Sequence, residues 1–437
     1  MPAAHRAFTG LALERLTELF YAETYLYRPG FAPSGDTLRF AAFPSLDHDT
    51  LAFVPWPIAD LFNAKGGSRP PTAQDAVAKN REELRGLIDK WIAAFPASAD
   101  AHEALSLVLE TTGELDLGPS GNRSALAAIR RVRALTRDPE QALRAEASEA
   151  RLLFKLERFA EAAAIADSAL SSAAPESTPL TARRLAGLAL LTGRVYRAAE
   201  LLQRAAPLDT PQTWDGIEVP DAPMPVKQAA LGLLAYAAVA QPAESLRAGK
   251  SRVEQRVTSW AGPSNRERLR TAVLHVPMGL AFETIGLSDV HRADAGGDYI
   301  LEMQWAVAHG DTAAARAELV RQAGLRTRAR AGDVAINGTY GEAGILLALH
   351  DTSAAIAALD FSLQALPTLG TFLLEQPEQV GCAIRAMALR AELAARAGDR
   401  ALAARWGNAV STLWRSADTP LAPVVQRMRT LAASHRN

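Results

Sequence analysis

The chain has 437 residues, of which 49% are hydrophobic, 22% are charged and only 6% are aromatic. This length exceeds one ordinary globular core but suits a stacked array of small units, and a hydrophobic fraction supplied mostly by Ala and Leu favours closely packed helices over β-sandwiches. Lys and Arg number 47 and Asp and Glu number 48, which argues against a nucleic-acid-binding protein because such proteins carry an excess of positive charge.

Residues 1–75 form the first of two predicted regions. They contain one amphipathic helix at about Leu11–Ala22, followed by a stretch interrupted by Pro and Gly. Within that stretch, Thr37–Phe43 and Thr50–Val54 have the composition of strands and flank a polar turn, which predicts an irregular β-hairpin or an extended arm. The run Gly66–Pro71 has the composition of a linker.

Residues 76–437 form the second region, which is predicted to be helical almost throughout. Its helices are separated by short breaks that carry Gly, Pro, Asp or Ser, so that successive helices are expected to be antiparallel. Helical periodicity is clear in Asn80–Phe95, Asp100–Glu110, Arg123–Thr136, Gln141–Leu156, Ala160–Ser172, Pro179–Leu191 and Arg197–Ala206. Further helices are expected at Val226–Ala240 and Asn265–Thr284.

Five turns in this region share a pattern of small residues. They begin at Glu157, Gly193, Gly310, His350 and Gly398, and each is followed five residues later by an alanine, at 162, 198, 315, 355 and 403. Seven residues before each turn lies another small or slim residue, at Ala150, Ala186, Met303, Ala343 and Ala391. Only a small side chain fits where two helices of a hairpin cross closely, so these positions are predicted to be buried at the crossings.

These features resemble the tetratricopeptide repeat, in which a turn and small residues recur about every 34 residues. Here the turns are separated by 36 residues (157 to 193), 40 residues (310 to 350) and 48 residues (350 to 398), which indicates divergent repeats with insertions. The resemblance implies an all-α fold, a right-handed α-solenoid of antiparallel helix hairpins over residues 76–437, preceded by the short irregular segment.

Motifs for catalysis or metal binding are weak. Gly249-Lys250-Ser251 resembles the end of a phosphate-binding loop, but Glu244 occupies the position where that loop needs a glycine. Asp47-His48-Asp49 is the best metal-like cluster and is expected to be a solvated turn, because adjacent side chains on a turn point apart. The single cysteine, Cys382, excludes an intramolecular disulfide and a cysteine-based zinc site. We therefore expect no enzyme activity, no cofactor and no metal.

No segment predicts a membrane span or a signal peptide. The longest uncharged apolar run, Ala229–Ala240, has 12 residues, whereas a membrane-spanning helix needs about 20. The first apolar stretch, near Leu11, is broken at once by Glu14 and Arg15. We expect a soluble, cytoplasmic protein, for which peripheral association with a membrane complex stays open.

Two candidate partner-binding surfaces follow from the resemblance and the composition. First helices of such hairpins line the concave face of a solenoid, and their residues that point away from the hairpin partner are expected to lie in the groove: Arg144, Arg151, Lys155, Arg183, Asn337, Tyr340, Arg385, Glu392 and Arg396. The excess of basic residues suggests an acidic protein segment as the partner. The second candidate is the N-terminal arm around Phe53 and Trp56, where the prolines that flank Trp56 exclude a helix interior.

The resulting hypothesis is a non-catalytic scaffold or accessory subunit that holds partner proteins within a larger assembly. Two alternatives stay open. The chain could be the regulatory or sensory helical-repeat part of a bacterial signalling protein, with residues 1–75 as the junction. It could also be an enzyme with a helical-toroid cleft, which paired carboxylates in a deep closed cavity would favour.

Overall fold

The computed structural model describes residues 73–116, 123–172, 178–205, 299–326, 336–371, 373–375 and 377–433. Of these residues 82% are helical, and none of them lies in a β-strand. The predicted all-α class is therefore confirmed for the described part of the chain. The predicted β-hairpin or arm, and the helices expected at Val226–Ala240 and Asn265–Thr284, lie outside the described residues.

Fourteen α-helices are described, and the seven predicted before residue 206 are all present. Each of these seven lies within two residues of its predicted bounds, except that the first helix begins seven residues earlier. The helices are α1 (Ala73–Ala94), α2 (Ala99–Thr111), α3 (Ala125–Leu135), α4 (Pro139–Lys155), α5 (Phe159–Ser172), α6 (Pro179–Leu191) and α7 (Val195–Ala205), followed by α8 (Tyr299–Ala308), α9 (Thr312–Arg326), α10 (Ile336–Ala348), α11 (Thr352–Gln364), α12 (Pro377–Arg396), α13 (Arg400–Leu413) and α14 (Ala422–Ala433). Three-residue 3-10 helices occur at Leu366–Thr368, Leu373–Glu375 and Thr419–Leu421.

The described helices fall into two compact units. The first contains α1, α2, α3 and the beginning of α4 as far as Ala145, and the second contains the rest of α4 together with α5–α14. In the first unit, α2 packs between α1 and α3. Leu84, Ile88 and Trp91 of α1 are buried, at a spacing that places them on one face of the helix.

The five turns singled out in the sequence share one backbone geometry. Their first residues have positive φ angles, 57° at Glu157, 74° at Gly193, 78° at Gly310, 60° at His350 and 80° at Gly398. In each turn this residue donates its N–H to the carbonyl three residues back, and the following residue donates to the carbonyl five residues back. This is the Schellman arrangement, which satisfies the last carbonyls of a helix while the chain reverses direction.

In three of these turns an aspartate ends one helix and begins the next. Asp311, Asp351 and Asp399 each follow the residue with positive φ, and each side chain accepts a hydrogen bond of 3.0 Å from the backbone N–H three residues later. One residue thus completes the C-terminal motif of the first helix and caps the second, so the turn needs no additional residues. A sixth turn of the same geometry, at Gly113, follows α2 and was not recognised in the sequence.

The small residues that flank the turns are buried, as predicted. Ala150, Ala162, Ala186 and Ala198 are all fully inaccessible to solvent, and the corresponding residues of the later hairpins are at most 1% exposed. In the second unit, α6 packs on α7, α8 on α9, α10 on α11, and α12 on α13. These hairpins follow from local spacing alone, because each pairs helices that are adjacent in the chain.

The second unit also contains contacts between helices that are far apart in the sequence. Helix α6 packs against α12, and α5 packs against α13. An array in which every repeat contacts only its chain neighbours lacks such contacts. The early and late hairpins of the second unit are therefore neighbours in space, which the periodicity of the sequence did not indicate.

Candidate partner-binding face

Most of the predicted groove residues lie in the protein interior. Arg144, Arg151, Lys155, Tyr340 and Arg385 are only 2%, 2%, 1%, 8% and 3% exposed. The expectation that these side chains project from an open face is therefore wrong for these five. The physical reason is that other segments of the chain cover the first helices, as described below for α4 and α6. Whether a partner contacts them stays a prediction.

The remaining predicted residues differ in accessibility. Arg396, in the last turn of α12, is exposed, and Arg183 in α6 is half-buried. Glu392 is half-buried and accepts a hydrogen bond of 3.3 Å from Nε of Arg427 in α14. The side chain of Asn337 and the arm residues Phe53 and Trp56 lie outside the part of the chain that the structure describes.

The segment between α11 and α12 contacts the end of α4 and packs on α6. We call residues 366–371 and 373–375 the connector. The ammonium group of Lys155, at the end of α4, donates a hydrogen bond to the backbone carbonyl of Leu369 in the connector. Lys155 and Leu369 are 214 residues apart in the chain. Lys155, which was predicted to contact a partner protein, thus binds the backbone of its own chain.

On α6 the connector approaches at Gly187. A Cβ atom added to Gly187 would lie 2.2 Å from the carbonyl oxygen and 2.8 Å from the Cα atom of Leu374. No side chain can occupy this position unless the connector moves, so the glycine is what allows backbone to lie directly on the helix. Arg183 precedes Gly187 by one helical turn, and Arg151 precedes Lys155 by one turn, so each lies on the same side of its helix as the residue that the connector contacts.

Four leucine side chains of the connector are buried. Leu366, Leu369, Leu373 and Leu374 are at most 4% exposed, whereas Pro367 is exposed. The connector therefore lies on α4 and α6 as an irregular, leucine-rich segment rather than as a further hairpin. The 48-residue spacing between the turns at 350 and 398 indicated an insertion here, but nothing in the sequence indicated where the inserted residues would pack.

Tyr340 of α10 and Arg385 of α12 form a buried pair within the second unit. The guanidinium carbon of Arg385 lies 5.7 Å from the centre of the Tyr340 ring, within the range of a cation–π contact. Burial lowers the pKa of Arg385 to about 9. Burial also raises the pKa of Tyr340, and the nearby Cys382 and Glu392 raise it further. The phenol is thus held neutral, and the pair is suited to packing α10 against α12 rather than to proton transfer near neutral pH.

In the first unit, Arg144 belongs to a buried polar network between α2 and α4. Its Nε atom lies 3.9 Å from a carboxylate oxygen of Glu103. The other Glu103 oxygen and a carboxylate oxygen of Asp100 accept hydrogen bonds of 3.2 Å and 2.8 Å from the amide of Gln141. Because α2 and α4 are joined through these groups, Arg144 has a role in packing that the sequence did not reveal.

Ion pairs join the early and late hairpins of the second unit. Arg405 in α13 contacts Glu157 at 2.7 Å, and Asp167 in α5 binds both Arg194 and Arg415, each at 2.7 Å. Asp418 completes this seam, because its carboxylate accepts a hydrogen bond of 3.0 Å from the backbone N–H of residue 196. The charged groups here are partly exposed, so they define which helices meet more than they stabilise the fold.

Among the described residues, no group of three or more His, Cys, Asp or Glu side chains is arranged to hold a metal ion. None of the described helices is both long enough and apolar enough to cross a membrane. In comparisons with known proteins, no family model matches the chain, and no curated protein matches it.

Proposed function

We propose that the chain is a non-catalytic scaffold or accessory subunit that binds partner proteins within a larger assembly. In this proposal, residues 76–437 form a right-handed α-solenoid similar to tetratricopeptide-repeat proteins, in which the early and late hairpins of the second unit also contact each other. Partners bind along the first helices of the hairpins, at the N-terminal arm around Phe53 and Trp56, or at both.

The observation that carries the proposal is the connector on α4 and α6. These two first helices hold an irregular polypeptide segment through a side-chain-to-backbone hydrogen bond at Lys155, a close backbone approach at Gly187 and buried leucines. Binding of extended segments on helix surfaces of this kind is what a helical scaffold requires. The recurring turns support the proposal, because they place several such first helices in one chain.

Charge provides a second, weaker support. Among the predicted groove residues whose side chains the structure describes, Arg396 is exposed and Arg183 is half-buried. Attraction of an acidic partner by such groups would act mainly through long-range electrostatics, screened beyond about 8–10 Å at physiological salt. By contrast, Arg151 is buried, so its reversal to Glu would leave an uncompensated charge in the interior and would perturb the fold as well as binding.

The test uses the full chain as bait in affinity purification, followed by binding measurements with each captured protein. Arg396→Glu is expected to weaken binding of an acidic partner several-fold and to reduce its salt dependence. The matched control is Arg400→Glu, because Arg400 is an exposed arginine at the start of α13, across the turn from Arg396.

Deletion of residues 1–75 separates the groove from the arm. If the truncated chain loses the partner while Arg396→Glu retains it, the arm is the binding surface and salt should have little effect, because aromatic burial would dominate. If no protein binds the folded chain above the background of the two control baits, empty resin and an unrelated helical protein, the scaffold proposal is refuted.

A further inference from the structure

The connector has the features of an intramolecular ligand. It packs on α11 at Leu366–Thr368 and on both α6 and α12 at Leu373–Glu375. It joins α11 and α12, which pack directly on each other, and α12 also packs on α10 and α13. The connector could therefore leave the face of α4 and α6 while its two ends stay in place.

The extra length of the chain at this point supports the same conclusion. The turns at 350 and 398 are 48 residues apart, whereas hairpins of this kind recur about every 34 residues. The additional residues are enough to form the connector without shortening α11 or α12. They form the segment that contacts Lys155 of α4 and Gly187 of α6.

The contacts also define the chemistry that this face accepts. Lys155 supplies a donor to a backbone carbonyl, Gly187 admits backbone at a distance that no other residue would allow, and the buried partners are leucines. None of these contacts requires an acidic side chain on the bound segment. The described part of the connector is uncharged apart from Glu375 at its end.

We propose that the connector is a displaceable strap, and that the partner of this face is a leucine-rich, largely uncharged polypeptide segment that takes its place. This inference rests on the proposed function, and it adds two points to it. The face is covered until the strap leaves, and a segment is recognised there by its backbone and its leucines rather than by acidic side chains.

Hydrogen exchange of the intact wild-type chain tests whether the strap opens. The backbone amides of residues 366–374, except Pro367, which has no N–H, should exchange on the order of a hundredfold faster than those in the centres of α6 and α12, because local opening needs less free energy than unfolding of the unit. Lys155→Met keeps the apolar stem and removes the donor, and should accelerate connector exchange by about tenfold. Lys90→Met is the control, because Lys90 is exposed on α1. Connector amides that exchange at the rate of α6 and α12 would overturn the proposal.

A peptide with the sequence of residues 364–376 tests recognition directly. In a full-length variant whose residues 366–374 are replaced by Gly and Ser, the labelled peptide should bind, and it should bind wild-type chain at least about tenfold more weakly because the strap competes. Adding Lys155→Met to the variant should weaken binding, and a peptide of scrambled order should not bind. Absence of peptide binding to a variant with wild-type helicity would overturn the proposal. If that variant does not fold, hydrogen exchange of the wild-type chain decides.

The outcomes for the strap and for the scaffold are distinguishable. Fast connector exchange and peptide binding, without any captured partner, would refute the scaffold and keep the strap. Captured partners that bind a chain whose connector never opens would keep the scaffold and refute the strap.

Discussion

Replacement of Gly187 by Ala is the sharpest test of how the connector packs. The glycine lies in the interior of α6, where Ala is intrinsically preferred over Gly by about 1 kcal/mol. Without the connector the substitution would therefore stabilise the protein. With it, the new Cβ would lie 2.2 Å from the carbonyl oxygen of Leu374, well inside the 3.0 Å that such contacts respect, so the connector must retreat by about 1 Å.

The two effects have opposite signs, and their sizes decide the outcome. Forced backbone shifts in a packed interior cost about 1–3 kcal/mol, which equals or exceeds the helix-propensity gain of about 1 kcal/mol. Gly187→Ala should therefore lower the free energy of unfolding by up to about 2 kcal/mol. If the connector instead leaves α6, its leucines lose their burial. The free-energy cost of this loss is similar to or larger than the cost of the backbone shift.

Calorimetry and hydrogen exchange together measure this result. Gly187→Ala should lower the unfolding midpoint by a few degrees, on the order of 2–4 °C per kcal/mol, and should speed exchange at residues 366–374. Gly324→Ala is the control, because Gly324 lies in α9 of the same unit and a Cβ there would meet nothing within 4 Å. A Gly187→Ala protein as stable as the Gly324→Ala protein, with unchanged connector exchange, would refute the close approach.

Three further predictions concern the helix crossings, the turn at His350 and the pKa of His102. Ala162→Leu and Ala198→Leu should each overpack a helix crossing and lower the free energy of unfolding by about 1–3 kcal/mol. The control, Ala160→Leu on the exposed face of α5, should change this free energy little. Equal melting temperatures for all three variants would contradict the assigned register. His350 has a φ of 60°, in the left-handed region that glycine adopts without strain. His350→Gly should therefore raise the free energy of unfolding, measured by urea titration, by about 0.5–1 kcal/mol. A loss of stability would contradict this prediction. Partial burial lowers the pKa of His102. Below pH about 6.5 the unfolded state therefore takes up a proton more readily than the folded state, and the stability of the protein falls as the pH is lowered. His102→Gln should reduce the difference in unfolding free energy between pH 7 and pH 5, and an unchanged difference would contradict this prediction.

The hairpins could be predicted because their determinants are local. A turn such as Gly398-Asp399 contains both the residue that tolerates a positive φ and the side chain that caps the next helix. The buried alanines lie at fixed distances from the turn, so a pattern within some 20 residues specifies which faces meet. His350 and Glu157 show that glycine is preferred but not required there, which is why two of the five turns could still be recognised without it.

The surface of the groove could not be predicted in the same way. Helical periodicity places Arg151 and Lys155 on one face of α4 and Arg183 on one face of α6. It does not show whether another segment of the chain covers these faces. The covering segment is about 200 residues away in the chain, and its sequence differs little from that of an ordinary leucine-containing loop. Long cationic side chains add to the difficulty, because such side chains are usually exposed.

The amino-acid sequence by itself thus determined the all-α class of the described residues, the bounds of their early helices and the register of their hairpins. Only the tertiary structure decided that α5 and α6 meet α13 and α12, and that the connector lies on Lys155 and Gly187. The physical reason is the range of the interactions. Turn geometry and helix crossings depend on residues that are close in the chain, whereas the covering of a face depends on burial of apolar surface, which is non-directional and selects any segment that the rest of the fold brings within reach.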